Sequence, residues 1–258
     1  MTEPQALLEA VEVSKHFGGI TALDSVSLSV GAGGAVGLVG PNGAGKTTLF
    51  NCLLGLLRPD SGRVRFDGRD LIGLPVHRRA RLGLGRTFQR MELFSEMTVR
   101  EHLLVAERAR RGTGRLWKDL LNRGAPTEEE ESEADVVLDL VGLTSVADRA
   151  IESLTLGHGR LVELGRALMT RPKLLLLDEP SSGLDQAESL ALARVLDTVR
   201  RERGTAVLLV EHDLAMVEQV AEQLYVLDFG RLLASGDRDE VLADPAVRKA
   251  YLGEAVGA

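Results

Sequence analysis

Gly40-Pro41-Asn42-Gly43-Ala44-Gly45-Lys46-Thr47-Thr48 follows an apolar run, Ala35 to Val39, and leads into a helical pattern. Strand, glycine-rich loop and helix in that order form a phosphate cradle. Backbone N–H groups of the loop and the positive end of the helix face an anion. Gly40, Gly43 and Gly45 let the chain turn with its amides inward, where a Cβ would intrude. Lys46 is placed to reach β and γ phosphates, and the Thr47 hydroxyl to ligate magnesium. Residues 40–48 are therefore expected to bind a nucleoside triphosphate. A glycine-rich turn without a ligand is the plainer alternative, and the flanking strand and helix weigh against it.

The bulk numbers narrow the class. With 258 residues, 44% hydrophobic and 27% charged, the chain can bury a substantial core and reads as an ordinary globular protein. Aromatics at 3% and a net charge of −7 supply neither stacking platforms nor a cationic coat, so no nucleic-acid partner is expected. A single cysteine, Cys52, excludes an internal disulfide and reads as a small buried apolar side chain. Met1 to Gln5 shows no secretory pattern. No run approaches the ~18 apolar residues of a membrane span, so a membrane role is expected to come through a partner.

Elements follow from periodicity. Leu7 to Val13, Ser25 to Val30 and Arg63 to Phe66 read as strands, with Lys15 to Ile20 as a glycine-containing turn. Met97 to Arg111 reads as a helix opened by a Thr98/Glu101 capping box. Residues 108–133 read as an exposed insertion, basic at first and then acidic, with two solvated helical pieces broken at Gly124-Ala125-Pro126. A second capping box is expected from Thr127 and Glu130, and Trp117 as a packing anchor. Helices at 161–170, 186–201 and 214–223 alternate with buried strands at 174–177 and 206–210, and a hairpin turns at Phe229-Gly230. Such alternation predicts an α/β layer on a mainly parallel sheet.

Leu174-Leu175-Leu176-Leu177-Asp178-Glu179 places two carboxyls at the end of a buried strand, where open α/β sheets bind ligands. Asp178 suits a magnesium shell, and Glu179 suits the base that takes a proton from, or orients, an attacking water. With the phosphate loop in the same chain this outweighs a mere acidic turn before Pro180. Asp228-Phe229-Gly230 spells a kinase magnesium motif, but the other kinase segments are missing and a hairpin turn accounts for it.

Taken together, these motifs resemble the ATP-binding subunit of an ATP-binding-cassette (ABC) transporter over nearly the whole chain. The resemblance implies a P-loop NTPase (RecA-like) core at about 1–90 and 158–240, including an antiparallel β subdomain. It implies a helical subdomain at about 91–157 and a helical tail at 241–258, all within one domain. It also implies roles. Phe17, in Lys15-His16-Phe17-Gly18-Gly19, resembles the aromatic that stacks on adenine. Gln89, in Arg86-Thr87-Phe88-Gln89, resembles the glutamine that senses magnesium and the transmembrane partner. Asp185, in Ser182-Gly183-Leu184-Asp185, resembles the loop crossing a dimer interface, and His212 resembles the γ-phosphate switch histidine.

The family's Leu-Ser-Gly-Gly-Gln signature is replaced by Leu154-Thr155-Leu156-Gly157-His158. Thr155 keeps the hydroxyl and Gly157 the close backbone approach, so both are expected to contact the nucleotide, and His158 is not. Two ATP-binding subunits, alike or different, are expected to close on ATP, with permease subunits as membrane partners on the cytoplasmic face. A solute-binding protein would act indirectly. Arg86 to Glu101, the insertion and the Asp244-Pro245 to Glu254 tail most resemble the longer ATPase subunit of branched-chain amino-acid importers. Importers of urea or short amides, lipopolysaccharide exporters and non-transport cassette proteins are the alternatives.

Overall fold

The computed structural model describes residues 6–87, 93–94, 96–111 and 126–255. Gln89, Trp117 and residues 112–125 of the insertion lie outside the described residues. β1 (Leu8–Phe17) and β2 (Ile20–Val30) form a hairpin, and β3 (Ala35–Val39) leads through the glycine-rich loop into α1 (Lys46–Leu54). β4 (Ser61–Phe66), β5 (Arg69–Asp70), α2 (Val76–Arg81) and β6 (Leu84–Arg86) follow. Next come α3 (Val99–Arg111), α4 (Glu128–Leu140), α5 (Leu156–Met169) and β7 (Leu174–Asp178). The chain continues as α6 (Gln186–Arg203), β8 (Ala206–Val210) and α7 (Leu214–Val220). It ends with β9 (Gln223–Asp228), β10 (Arg231–Asp237), α8 (Arg238–Ala243) and α9 (Pro245–Ala255).

Six strands form the central sheet in the order β10-β9-β3-β8-β7-β6, all parallel except β10 on β9. Burial on both faces explains why β3, β7 and β8 are aliphatic without polar alternation. Leu174 and Leu176 enter a core shared with α1, β1 and β2, whereas Leu175 and Leu177 enter one shared with α3 to α6. The period-2 geometry of a strand thus binds two layers through one apolar run. A second, antiparallel sheet, β2-β1-β4-β5, covers α1 with Leu8, Val13, Leu23, Val64 and Phe66. The α/β class with a parallel core, an antiparallel sheet and a helical part is the architecture observed.

Several boundaries differ from the sequence reading. The turn expected at 15–20 shrinks to Gly18-Gly19, because Lys15↔Leu23, His16↔Thr21 and Phe17↔Ile20 continue the pairing. Asp60 braces it, accepting from Lys15 Nζ at 2.8 Å and from the His16 amide at 2.7 Å. The helix expected from 161 begins at Leu156, since the Thr155 hydroxyl caps it by accepting from the His158 amide at 3.3 Å. The helix expected to reach 223 stops at Val220, because Gln223 pairs with Val36 as the start of β9.

Both capping boxes are present. Thr98 N donates to Glu101 at 2.8 Å and Thr127 N to Glu130 at 3.0 Å, with the reciprocal bonds at 3.2 Å in each. The acidic half of the insertion is not simply solvated. Glu130 is buried, and Glu133 accepts from Arg171 at 3.1 Å and Arg203 at 2.8 Å, tying α4 to the ends of α5 and α6. Cys52 is buried, and burial pushes its thiol up to about 11, which suits a packing residue.

Arg79 on α2 is buried and satisfies carbonyls at the C-terminal end of α1. It donates to Cys52 O at 3.0 Å, Leu53 O at 2.7 Å, Leu71 O at 2.7 Å and Leu74 O at 3.0 Å. Hydrogen bonds from a charged donor to such carbonyls are worth more than neutral ones. Arg79→Ala is expected to cost about 3 kcal/mol, lowering the thermal midpoint by roughly 6–10 °C. A midpoint within about 2 °C of the parent would remove Arg79 from this role.

Candidate nucleotide site

Close backbone packing shapes the loop between β3 and α1. Gly40 has φ 144°, and a Cβ there would lie 2.1 Å from the Leu227 carbonyl oxygen. Gly45 has φ 102°, and its Cβ would lie 2.6 Å from the Ala22 carbonyl oxygen. No other residue type fits either position without moving backbone. The β9–β10 hairpin braces the loop from outside. Its turn residues Phe229 and Gly230 have φ 42° and 77°, the left-handed pair that two-residue hairpins favour. Gly230 N donates to Ala44 O at 3.0 Å, and Gly230 O accepts from Asp24 N at 2.8 Å. Asp228-Phe229-Gly230 is thus a brace and a hairpin turn.

α1 starts at Lys46 with Gly45 as N-cap, without a side-chain cap or an acidic residue in its first turn. The first-turn amides and the positive helix end are left for an anionic ligand. Lys46 is buried, and its ammonium donates to Gly40 O at 2.5 Å and Pro41 O at 2.9 Å, so the cation is already held over the loop. Thr47 is exposed and Thr48 half-buried in the first turn.

Asp178 ends β7, paired with Val210 at the end of β8. Burial holds its carboxyl above the ordinary 3.8, the neighbouring Glu179 adds to the rise, and Arg86 and Lys46 oppose it. Glu179 sits at φ 47°, a left-handed conformation that costs a residue with a long side chain and persists where surrounding structure imposes it. Here Glu179 N donates to Val210 O at 2.9 Å, and Glu179 O accepts from Ser182 N at 3.1 Å. His212 Nδ1 lies 3.8 Å from Glu179 Oε1. Lys46, Asp178, Glu179 and His212 therefore meet at the carboxyl edge of the sheet.

The remaining sequence-predicted residues lie elsewhere on the surface or in local structure. Thr155 is exposed at the N-terminus of α5, and a Cβ on Gly157 would come within 2.6 Å of Glu188 Oε1. A side chain on Gly157 would thus push the Glu188 side chain on α6 aside. Asp185 caps α6, accepting from Glu188 N at 2.8 Å. Arg160 Nη2 donates to Ser182 O at 3.3 Å, so residues 155–160 and 182–188 form one patch. Phe17 is 47% exposed at the tip of β1, with Lys15 Nζ 5.5 Å from its ring centre.

Three residues escaped the sequence reading. Arg86 ends β6 beside Asp178 and acts on its charge. Ser181 and Glu211 are buried and bonded to each other, the Ser181 Oγ donating to Glu211 Oε1 at 2.6 Å. The available signal was Val210-Glu211-His212, an acidic residue directly after a buried aliphatic strand.

Comparison with known proteins places the chain. Residues 23–182 match the family model described as ABC transporter, and residues 231–257 match that of branched-chain amino acid ATP-binding cassette transporters. The high-affinity branched-chain amino acid transport ATP-binding protein BraF of Pseudomonas aeruginosa is 41% identical over 96% of this chain and 98% of its own. The corresponding LivG of Escherichia coli is 40% identical over 97% and 99%. The lipopolysaccharide export system ATP-binding protein LptB of Haemophilus influenzae is 35% identical over 96% and 98%. A solved ATP-binding cassette of an ABC transporter, in its ADP conformation, superposes with TM-score 0.85 at 35% identity, covering 96% of this chain and 99% of that one.

The raised Asp178 carboxyl makes a signed prediction. Its proton is held more tightly folded than unfolded, so its contribution to stability is complete below the unfolded value near 4 and is lost as pH rises through the folded value. At neutral pH the ionised group weakens the ligand-free fold. Asp178→Asn is expected to raise the thermal midpoint at pH 7 relative to the parent, with the difference shrinking toward pH 4. A difference that is flat with pH, or opposite in sign, would remove the burial effect.

Proposed function

The chain belongs to the ABC transporter family, and we propose that it is the ATP-binding and ATP-hydrolysing subunit of an importer for branched-chain amino acids. The observation that carries the cargo reading is the match at 231–257, over β10 to α9, to the branched-chain cassette model. That segment lies outside the residues that meet phosphate. The higher identity to the branched-chain relatives than to the lipopolysaccharide export protein points the same way.

The phosphate chain of ATP lies along residues 40–48, with Lys46 leaving the loop carbonyls for the β and γ phosphates. Glu179 orients the attacking water and accepts its proton, and His212, 3.8 Å away, contacts the γ-phosphate. Phe17 offers its ring to adenine. Thr47, Asp178 and Gln89 are the residues that would hold magnesium. The fit is good: a hydroxyl and one desolvated carboxyl are hard oxygen donors, and magnesium takes few protein ligands when phosphates and waters complete its shell. When bound, the ion neutralises charge on the phosphate oxygens.

Each chain carries half of a complete site. A second ATP-binding subunit supplies its own Thr155 and Gly157 across the interface, with Asp185 beside them, and ATP favours the closed pair because it contacts both. Exposure of Thr155 at a helix N-terminus supports this role. The permeases dock in a hollow of about 370 Å³ among α2, α3 and α5, lined by His77, Arg81, Ala106, Arg110, Arg166 and Thr170. Arg86 and Thr87 line it too, just ahead of Gln89, so the hollow adjoins β6, whose Arg86 acts on the charge of Asp178. Among the described residues no helix is long and apolar enough to cross a membrane. Membrane attachment at the cytoplasmic face is through the permeases, with a solute-binding protein acting indirectly from the other side.

Glu179→Gln is expected to keep ATP affinity within about twofold while cutting turnover by roughly 100-fold or more. A variant retaining over a tenth of parental turnover would remove Glu179 as the base. Lys46→Ala is expected to weaken ATP binding at least about tenfold in equilibrium titration, and unchanged affinity would refute its phosphate contact. For the cargo, the chain assembled with its permeases in vesicles is expected to hydrolyse ATP faster when binding protein loaded with leucine, isoleucine or valine is added. Stimulation by another solute class alone would overturn the branched-chain reading.

A further inference from the structure

Glu211 is fully buried at the end of β8, and its two carboxylate oxygens serve two different loops. Oε1 accepts from the Ser181 amide at 2.9 Å and the Ser181 hydroxyl at 2.6 Å. Oε2 accepts from the His212 amide at 3.1 Å and the Asp213 amide at 3.4 Å. Among the described residues, the His212 ring comes close to the second oxygen as well, its Nδ1 lying 3.8 Å from Oε2. A carboxylate is a rigid planar group, so donors on its two oxygens keep a fixed mutual position. A buried carboxylate left without those donors is expensive.

The loops it joins have different destinations. Ser181 lies between Glu179 and the segment ending in Asp185, with Ser181 O accepting from Leu184 N at 2.9 Å. Asp213 caps α7, accepting from Ala215 N at 2.9 Å. Movement of the His212 backbone must therefore either carry Ser181 with it or break bonds to a buried charge.

We propose that Glu211 is a positioning residue that couples the His212 loop to the 181–185 loop, so that occupancy of one γ-phosphate site is transmitted to the surface facing the second subunit. This rests on the dimeric ATPase reading above. Glu211 acts through Ser181 and His212, the residues its carboxylate holds. Coupling of this kind is typically worth a factor of 5–150.

The test uses the purified full-length chain. Glu211→Gln keeps size but sets an amide N–H₂ against one pair of donors. It is expected to lower kcat at least about tenfold while leaving ATP affinity within about twofold. In the Glu179→Gln background, adding Glu211→Gln is expected to abolish ATP-driven dimerisation in light scattering without loss of ATP binding. Ser181→Ala should reproduce the kcat defect in part, add little to Glu211→Gln, and be rescued by Ser181→Thr, which restores the hydroxyl. Unchanged kcat and dimerisation in Glu211→Gln, or a rate loss matched by equal losses in affinity and thermal stability, would overturn the coupling. If Glu211→Gln does not fold, the Ser181→Ala and Ser181→Thr pair decides: equal rates in both would overturn it. Failure of Glu179→Gln to dimerise with ATP, both alone and with the second ATP-binding subunit added, would instead sink the reading on which the proposal rests.

Discussion

Parallel pairing of β8 between β3 and β7 aligns three strand ends at one edge of the sheet. Leu38 and Asp178 both register with Val210, so the glycine-rich loop, the two carboxyls and His212 all emerge there. The register is held by apolar residues facing two cores at once, and a slip of one residue would exchange the faces of every leucine in β7. The alignment therefore has the stability of the core behind it, although the groups it delivers are polar, charged and partly strained.

Those groups work against the fold in the absence of ligand. Glu179 occupies a left-handed conformation, Asp178 is desolvated beside it, and Glu211 is buried between two loops. Each is tolerated because rigid neighbours impose it: the Val210 carbonyl on Glu179, the fields of Arg86 and Lys46 on Asp178, and four donors on Glu211. An anion with its counter-cation at this edge would relieve much of that tension, which gives nucleotide binding a way to change loop positions. The helix after the loop is anchored at its other end as well. Arg79 ties the last carbonyls of α1 to α2, which faces the hollow among α2, α3 and α5. A short covalent and hydrogen-bonded path thus joins the phosphate loop to the proposed permease surface.

Much of this layout was legible in the residues. β3, β7 and β8 are unbroken aliphatic runs, which only a doubly covered sheet explains, and polar groups at their ends had to emerge at ligand-binding edges. The two capping boxes were readable because capping is chemistry over four consecutive residues. Boundaries were less readable wherever a distant partner set them. Pairing across the β1–β2 hairpin carried both strands almost to the tip, and Gln223 became strand only because Val36 lies beside it. The Thr155 hydroxyl started α5 ahead of its apolar pattern.

Local sequence was enough to specify the elements, the loop that suits phosphate and the acidic strand end, since each depends on neighbours a few residues away. Three-dimensional packing alone decided that Glu211 would be buried, that Ser181 would meet it from thirty residues upstream, and that Arg79 would cap a helix it does not belong to. The same holds for Gly157, whose lack of a side chain answers to Glu188 on another helix. Such features depend on which atoms face each other once the layers close. No periodicity within a segment encodes that.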